Sequence, residues 1–568
     1  MKKINIFIST LAVMALTSCS RFTPSYNHIE SLIWSNLKND GEGLDFVSTK
    51  FANYSLAFDY EAFELNMKEA SNLANNGGNL RKFASYTNSA ISYGNSLNSK
   101  TSIARTAYYA SGDERDYKIY ASLHEAQSTF YSWYSTFLKE VRDGPSNDIY
   151  NWFYADMSKA EIEEMIEEYA YDENIASLNL AISQIEDEQE TLYNNFSNAR
   201  RSGEIITGDA QYIAYMNNSL NNFRRLVEKG NLLAASYGYD NYLDFVYKEY
   251  YKREYKYDFI EEYAPLINDY VLPAIKYYED NVDNSILDNS SKKLIYTLYK
   301  NSNIADARCF QGDIFDSYVD NKIGGAMHAT YNHLKSDGYY CFSNSDSSLS
   351  TAYVSTLSGS EPVIYFSKNY QNVTTIIHEF GHYFASYTNK NNNNFPFDIE
   401  ETHSQANEML FNRYLLEYYN GKDNYDIYKY IADTEVYDML RSSAYTFATA
   451  EVEAYVFNHL DLNNDEIIAG ADEIMNKYNN LVYSAYWCTP IVSSTGYYIS
   501  YATSGVASLA SYVFAKQDFN KAIEDYLKFV AYPEEDYNID AFFTYSGLYS
   551  PLKEDTFKLF THDNLFSF

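Results

Sequence analysis

Proline and glycine are both scarce in this sequence, at 9 and 22 of 568 residues. Their scarcity excludes a collagen-like chain and a disordered chain rich in these residues, and it argues against an all-β protein with many turns. Aromatic residues are abundant instead, and 62 tyrosines and 34 phenylalanines supply apolar surface for a large core. The chain is therefore expected to fold, and its length allows about three or four domain-sized units.

Basic residues are also few. The sequence has 43 lysines and arginines against 77 acidic residues, which gives a formal net charge of −34. An acidic surface repels phosphates, so DNA and RNA are not expected as partners. The charge is explained most simply by solubility, and attraction of cationic peptides is the alternative.

Long apolar runs are absent except at the start. Lys2 and Lys3 precede an apolar stretch from Ile4 to Leu16, which is shorter than the ~20 residues needed to span a bilayer and typical of a signal peptide. The stretch ends in Leu-Thr-Ser-Cys19, which resembles a bacterial lipobox. We therefore expect loss of residues 1–18, lipidation of Cys19 and a location in the cell envelope, outside the cytoplasmic membrane (periplasm or cell surface). An ordinary signal peptide is the alternative.

Cysteine is rare as well. Beyond Cys19 the chain has only Cys309, Cys341 and Cys488, and none lies in a CxxC pattern that would predict a metal site. Cys309 and Cys341 are 32 residues apart, and whether they pair is left open. An odd number of cysteines leaves at least one thiol without a partner in the same chain.

The remaining pattern predicts a mainly α protein with one small β-sheet. Helical spacing of apolar residues dominates from about 25 to 300, and Ser158 and Glu161 have the spacing of a capping box. Residues 243–263 are predicted to be helical, with a kink near Pro265. Short β-prone runs bounded by Gly, Asn and Ser follow at 338–342, 351–357 and 362–367.

The most informative motif follows these runs and reads His378-Glu-Phe-Gly-His382. Two histidines four residues apart lie on one face of a helix and can bind one metal ion, while Glu379 flanks that ion and can accept a proton from an activated water. With 9 histidines in 568 residues, the chance occurrence of this arrangement is at most about 0.02. The motif therefore predicts a zinc-binding helix.

A third protein ligand is needed, because catalytic zinc usually has three. Glu401, Ser404 and Glu408 share one face of a second predicted helix, which makes Glu401 the expected third ligand. Glu400 and His403 point about 100° and 200° away from Glu401 on that helix and compete less well.

These residues, taken with other segments, resemble the thimet oligopeptidase and oligoendopeptidase F family of zinc peptidases. The family's E-x-x-S-x-x-x-E arrangement is matched from Glu401 to Glu408. Further matching segments lie in consistent order between about 237 and 505: Gly238–Tyr242 with Lys252 and Arg253, Phe315–Ala326, Pro362–Phe366 and Tyr497–Thr503.

The resemblance implies a mainly α, two-lobed fold with a deep cleft, zinc on the cleft floor and the small sheet beside the zinc helix. The expected organisation is a signal peptide at 1–18, an N-terminal helical lobe at 19–204 and a catalytic domain at 205–568. The implied activity is cleavage of short peptides with one zinc ion, because a narrow cleft excludes folded proteins.

The resemblance also implies a role for each matched residue. His378, His382 and Glu401 would bind zinc, and Glu379 would be the general base. Glu408 would orient a ligand, Tyr497 would donate a hydrogen bond to the tetrahedral oxyanion, and Tyr501 would line the substrate site.

One departure from the family affects catalysis. Related enzymes have a histidine shortly before the first of these tyrosines, and the segment Cys488–Gly496 contains none. His328 and His333 are conceivable substitutes, although a structural role is the more ordinary interpretation of each. Two other functions therefore stay open: a catalytically impaired peptide-binding lipoprotein, favoured by this departure, and a zinc carboxypeptidase.

Overall fold

The computed structural model describes most of the chain. The described residues are 44–46, 56–111, 114–155, 157–168, 172–201, 208–288, 291, 313–337, 340–343, 352–356, 362–367, 373–389, 395–478, 486–532 and 538–567. The expected signal peptide, Cys19 and Cys309 lie outside these residues.

Residue contacts divide the chain into two compact units. The first is built from the described parts of 1–180 and 337–370, and the second from those of 181–336 and 371–568. This division differs from the expected lobes at 19–204 and 205–568, because the boundary falls earlier and the segment 337–370 belongs with the N-terminal residues. The reason is local: Tyr365 donates to the carbonyl of Tyr109, and Tyr353 hydrogen-bonds Thr106.

Helices dominate the first unit, as the scarcity of proline and glycine predicted. Its helices are α1 (Tyr60–Asn76), α2 (Leu80–Ser111), α3 (Glu114–Asp143), α4 (Asn147–Phe153) and α5 (Lys159–Glu168), followed by α6 (Glu173–Arg201), which crosses the boundary between the units. Their core contains aromatic side chains that contact one another, including Phe63, Phe83, Phe130, Tyr134 and Phe137.

The second unit is also helical. Its α-helices are α7 (Ala210–Ser236), α8 (Tyr242–Phe245), α9 (Phe259–Leu266), α10 (Leu272–Asn281), α11 (Asp313–Tyr318), α12 (Gly325–Asp337), α13 (Val373–Thr388), α14 (Phe397–Tyr419), α15 (Tyr425–Asn458), α16 (Asn464–Lys477), α17 (Pro490–Ser493), α18 (Tyr498–Gln517), α19 (Phe519–Val530), α20 (Ile539–Ser546), α21 (Glu554–Phe557) and α22 (His562–Leu565). Helix α14 packs against α13 and α18, and α15 packs against both α14 and α18.

One small sheet lies in the first unit, as predicted. Its strands are β1 (Leu44–Phe46), β2 (Tyr340–Ser343), β3 (Ala352–Thr356) and β4 (Pro362–Phe366), in the order β1-β2-β4-β3. β2 and β4 are parallel, with Tyr340 opposite Ile364, and the other two pairs are antiparallel. The strand β1 was not predicted, because its partner β2 lies almost 300 residues further along the chain.

The stretch 243–263 is not one helix, and that part of the prediction is wrong. Helix α8 continues into a π-helical turn at Val246–Tyr250 and the chain then leaves the helix until α9 begins. Lys252 has a positive φ of 56°, a conformation that non-glycine residues seldom adopt. The interruption turns Arg253 into the interior. Pro265 itself lies inside α9, two residues before the next π-helical turn starts at Ile267.

Among the described helices, none combines the length and apolarity that a bilayer span requires.

Candidate metal centre

The histidine motif lies on α13, as predicted. One face of this helix is apolar and buried, and its side chains include Ile376, Ile377, Phe380, Tyr383 and Phe384. His378 and His382 are one turn apart on another face, and each side chain keeps 19% of its surface exposed. The amphipathic sequence therefore fixes which way both imidazoles point.

Helix α14 crosses α13 at very short range. A Cβ atom on Gly381 would lie 2.6 Å from the carbonyl oxygen of His403 and 2.7 Å from Cα of Ser404. Only glycine fits such a contact without displacing the backbone. The amide of Asn407 also donates to the carbonyl of Ile377 over 2.9 Å. These contacts bring Glu401 to the two histidines.

Three ligand atoms meet at this crossing. Nε2 of His378 and Nε2 of His382 are 3.2 Å apart, and each is 3.6 Å from Oε2 of Glu401. Together they form the group that the sequence predicted as a metal site. Glu400 and His403 are not part of this group. His403 is buried between Phe395 and Phe529 instead.

The spacing of these atoms fits a tetrahedral zinc ion. Bonds of 2.0–2.2 Å at tetrahedral angles would place ligand atoms about 3.3–3.6 Å apart, close to the distances found here. Oε2 of Glu401 is buried and has no hydrogen-bond partner in the described part of the chain. A buried carboxylate oxygen without a donor is costly, and a cation would satisfy it.

Glu408 holds the ring of His378 from the other side. Its Oε1 is 2.7 Å from Nδ1 of His378, so an N–H at Nδ1 donates to the carboxylate, and Nε2 is turned toward Glu401 and His382. Burial lowers the pKa of His378, but the hydrogen bond to Glu408 and the nearby carboxylates outweigh it and raise the pKa to about 9.

The carboxyl group of Glu401 stays ionised in these surroundings. Burial raises its pKa, but the imidazoles of His382 and His378 and the phenol of Tyr497 outweigh burial and lower the pKa to about 2. Glu379, the neighbour of His378, is 4% exposed, and its Oε2 has no hydrogen-bond partner among the described residues. Burial raises the pKa of Glu379.

Both predicted tyrosines lie at this group. The hydroxyl of Tyr497 donates to Oε1 of Glu401 over 2.5 Å and is 3.0 Å from the hydroxyl of Tyr501. Tyr497 therefore contacts the carboxylate oxygen opposite the one that faces the histidines. Its role toward an oxyanion stays a prediction.

The other candidates lie elsewhere. His328 contacts Asp320, and the ring of His333 packs at a tilt against that of Tyr387. Neither belongs to the ligand group. Cys488 is buried with a free thiol.

Two residues that connect α14 with the segment around Tyr497 were not predicted from the sequence to have a role. Asp398 accepts four hydrogen bonds at the start of α14, and Arg253 donates both to Asp398 and to the chain next to Tyr497. Arg253 was part of a matching segment, but a charged residue in a polar stretch gives no signal that it is buried.

No protein-family model matches the chain. One curated relative, an oligoendopeptidase F homolog of Borreliella burgdorferi, is 28% identical over 196 residues. That alignment covers 31% of this chain, and the chain spans about a third of the relative's length (32%).

Solved structures match nearly the whole chain. PZ peptidase A with an inhibitor has a TM-score of 0.61 at 13% identity and covers 89% of this chain and 96% of its own. The oligoendopeptidase F of Enterococcus faecium has a TM-score of 0.51 at 14% identity, with the same coverage of both chains. The chain therefore has the fold of these peptidases, and the resemblance to the oligoendopeptidase F family indicated by its motifs is confirmed.

Proposed function

We propose that this protein is a zinc-dependent oligoendopeptidase that hydrolyses peptide bonds in short peptides. The main support is the triangle formed by Nε2 of His378, Nε2 of His382 and Oε2 of Glu401. Beside it on the histidine helix lies Glu379, whose Oε2 is buried without a hydrogen-bond partner among the described residues. A protein that only binds peptides needs neither a ligand set of zinc dimensions nor a buried base beside it.

Each residue then has a defined task. His378, His382 and Glu401 would hold one zinc ion, which supplies a Lewis acid and makes a water molecule more acidic. Oε2 of Glu379 would accept the proton of the attacking water and pass it to the leaving amine. Glu408 would keep His378 in the tautomer that leaves Nε2 free.

The tyrosines would complete the site. Tyr501, half-buried beside Tyr497, would line the substrate side of the group. A phenol of this pair would donate to the developing oxyanion. Its contribution to oxyanion stabilisation would be larger here, because the family's usual histidine is missing before Tyr497. The names of the relative and of the solved structures, oligoendopeptidase F and PZ peptidase, support peptides as substrates.

The test is cleavage of a quenched fluorescent peptide library by the wild type and by Glu379→Gln, with products identified by mass spectrometry. We expect internal cuts in short peptides by the wild type and none by Glu379→Gln. Removal of single C-terminal residues would favour a carboxypeptidase. Binding of peptides without any cleavage by the wild type would favour the impaired, peptide-binding alternative and refute the proposal.

We also propose that the protein is anchored in the cell envelope by lipid on Cys19. The lipobox-like sequence supports this, and two acyl chains anchor stably where one chain is marginal. Cys19→Ser should release the protein from membranes. A wild type found in the soluble fraction, with its N-terminus at another residue, would contradict the anchor.

A further inference from the structure

We propose that Arg253 is a positioning residue, which ties the start of α18, where Tyr497 is the N-cap, to α14, which bears Glu401, and so keeps the phenol of Tyr497 on the metal-binding carboxylate. The proposal rests on the proposed zinc site and adds the residue that sets its geometry from outside. All the residues involved lie in the second unit.

Arg253 is a buried cation. It is 1% exposed, and its guanidinium lies 4.5 Å from the ring centroid of Tyr247 and 4.6 Å from that of Tyr251. A buried charge is costly unless it is paired and fully hydrogen-bonded. The donors of Arg253 must therefore stay with their acceptors, which makes their geometry rigid.

One group of acceptors lies on α14. Nε of Arg253 donates to Oδ2 of Asp398 over 2.9 Å, and both side chains are almost fully buried. Asp398 is three residues before Glu401, less than one helical turn away. It also accepts from Thr503 and Ser500 on α18, at 2.6 Å and 3.1 Å. Asp398 thus fixes the first turn of α14 to both Arg253 and α18.

The other group lies at the start of α18. Nη1 of Arg253 donates to the carbonyl of Gly496 over 2.6 Å, and Nη2 donates to Oγ of Ser500 over 2.5 Å. These acceptors flank Tyr497. The N–H of Gly496 donates to Oε1 of the buried Glu453 over 2.8 Å, so the peptide groups on both sides of this glycine are held.

Gly496 is constrained by shape as well. Its φ is +77°, and a Cβ there would lie 3.1 Å from Val246 and 3.2 Å from the rings of Tyr247 and Tyr251. These are the same two rings that cover Arg253. The backbone conformation of the turn before Tyr497 is therefore restricted. The ring of Tyr251 also stacks on that of Tyr497, with 5.8 Å between the ring centroids.

These contacts determine where the phenol points. With α14 held through Asp398 and the turn held through Gly496, the hydroxyl of Tyr497 is set 2.5 Å from Oε1 of Glu401. A positioning role predicts that disturbing Arg253 weakens zinc binding by releasing this hydrogen bond. A purely structural role predicts lower stability without a specific effect on zinc.

The test is a double-mutant cycle on zinc affinity between Arg253→Lys and Tyr497→Phe, measured by chelator competition. Lysine keeps the charge near Asp398, but its single ammonium does not reproduce the planar fork that reaches Asp398, Gly496 and Ser500 together. We expect Arg253→Lys to weaken zinc binding about tenfold in the wild type and less than about twofold when Tyr497 is already phenylalanine. In peptide cleavage we expect a fall in kcat with little change in KM.

The matched control is Tyr255→Phe. It removes a 2.6 Å hydrogen bond to the same Asp398, and among the described residues the Tyr255 hydroxyl bonds nothing else. It should lower stability without weakening zinc binding by as much as twofold. Should Arg253→Lys not fold, Ser500→Ala takes its place in the cycle. It removes the acceptor of Nη2 of Arg253 together with one donor to Asp398, and it leaves the other contacts of Arg253 in place.

Equal weakening of zinc binding by Arg253→Lys in both backgrounds would overturn the proposal, and so would a control that weakens zinc binding as strongly. The double-mutant cycle measures zinc affinity and does not depend on peptide cleavage. A wild type that binds zinc but cleaves no peptide would therefore refute the peptidase function, while the cycle still decides the role of Arg253.

Discussion

The hydroxyl of Tyr497 donates to Oε1 of Glu401 over 2.5 Å, while the other oxygen of that carboxylate faces His378 and His382. One carboxylate thus connects the predicted zinc ligands with the predicted catalytic tyrosine. The phenol orients Glu401 in this structure, and burial together with Glu401 raises the pKa of Tyr497 well above its usual value. The phenol therefore remains a donor across the ordinary pH range.

Tyr497→Phe should therefore weaken zinc binding about tenfold or more, because Glu401 loses the donor that orients it. Chelator competition measures this effect. At saturating zinc, the remaining loss in kcat reports the oxyanion role implied by the family resemblance, about 10²–10³-fold. Unchanged zinc affinity together with a rate within about threefold of wild type would show that this tyrosine serves neither purpose.

Glu408→Ala should lower zinc affinity about 10–100-fold, because Nδ1 of His378 loses its only described hydrogen-bond partner and the ring is no longer held in one tautomer. Glu417→Ala is the control, since Glu417 lies on the same helix and pairs with Lys322 instead. If both variants bind zinc like the wild type, Glu408 does not support the ligand.

Gly381→Ala should destabilise the protein by about 1–3 kcal/mol, the usual cost of overpacking, and should also weaken zinc binding. The added methyl group would overlap the backbone of His403 and Ser404 and push Glu401 away from the histidines. Urea unfolding and chelator competition measure the two effects. A variant with normal stability and zinc affinity would contradict the close crossing of α13 and α14.

Glu453→Gln should change how stability depends on pH. Burial raises the pKa of Glu453 from its usual 4.5 to about 8. Between these values the unfolded chain has released a proton that the folded chain still holds, so the free energy of unfolding falls as pH rises. Because glutamine does not titrate, the variant should lose less stability than the wild type between pH 5 and pH 8, by an amount on the order of a few kcal/mol. Equal losses in urea unfolding would refute the assignment.

The helix that carries the histidine motif and the local helix signals were predictable from sequence. Ser158 and Glu161 form the predicted capping box, with both reciprocal hydrogen bonds present. The i, i+4 spacing of His378 and His382 set their common face, and the periodicity after Glu401 set the second helix. In these cases the information lies within a few turns of one helix, where sequence spacing translates directly into geometry.

What the sequence did not predict depends on contacts between distant segments. The acceptors that satisfy the buried Arg253 lie 145 and 243 residues further along the chain. Arg253 lies where the helix predicted at 243–263 is interrupted. The hydrogen bond from the hydroxyl of Tyr497 to Glu401, 96 residues away, was not predicted either, and it leaves the predicted oxyanion role untested. Spacing gives the direction of a side chain on its own helix, but the partner that it meets is set by how the helices pack.

The most direct test of the central claim is zinc content and peptide cleavage measured on the same preparations of wild type, His382→Ala and Glu379→Gln. Losing one ligand breaks the coordination set, whereas losing the base leaves it intact. We expect about one zinc per chain in the wild type and in Glu379→Gln, little zinc in His382→Ala, and cleavage by the wild type alone. Stoichiometric zinc in His382→Ala, or full activity in Glu379→Gln, would contradict the account.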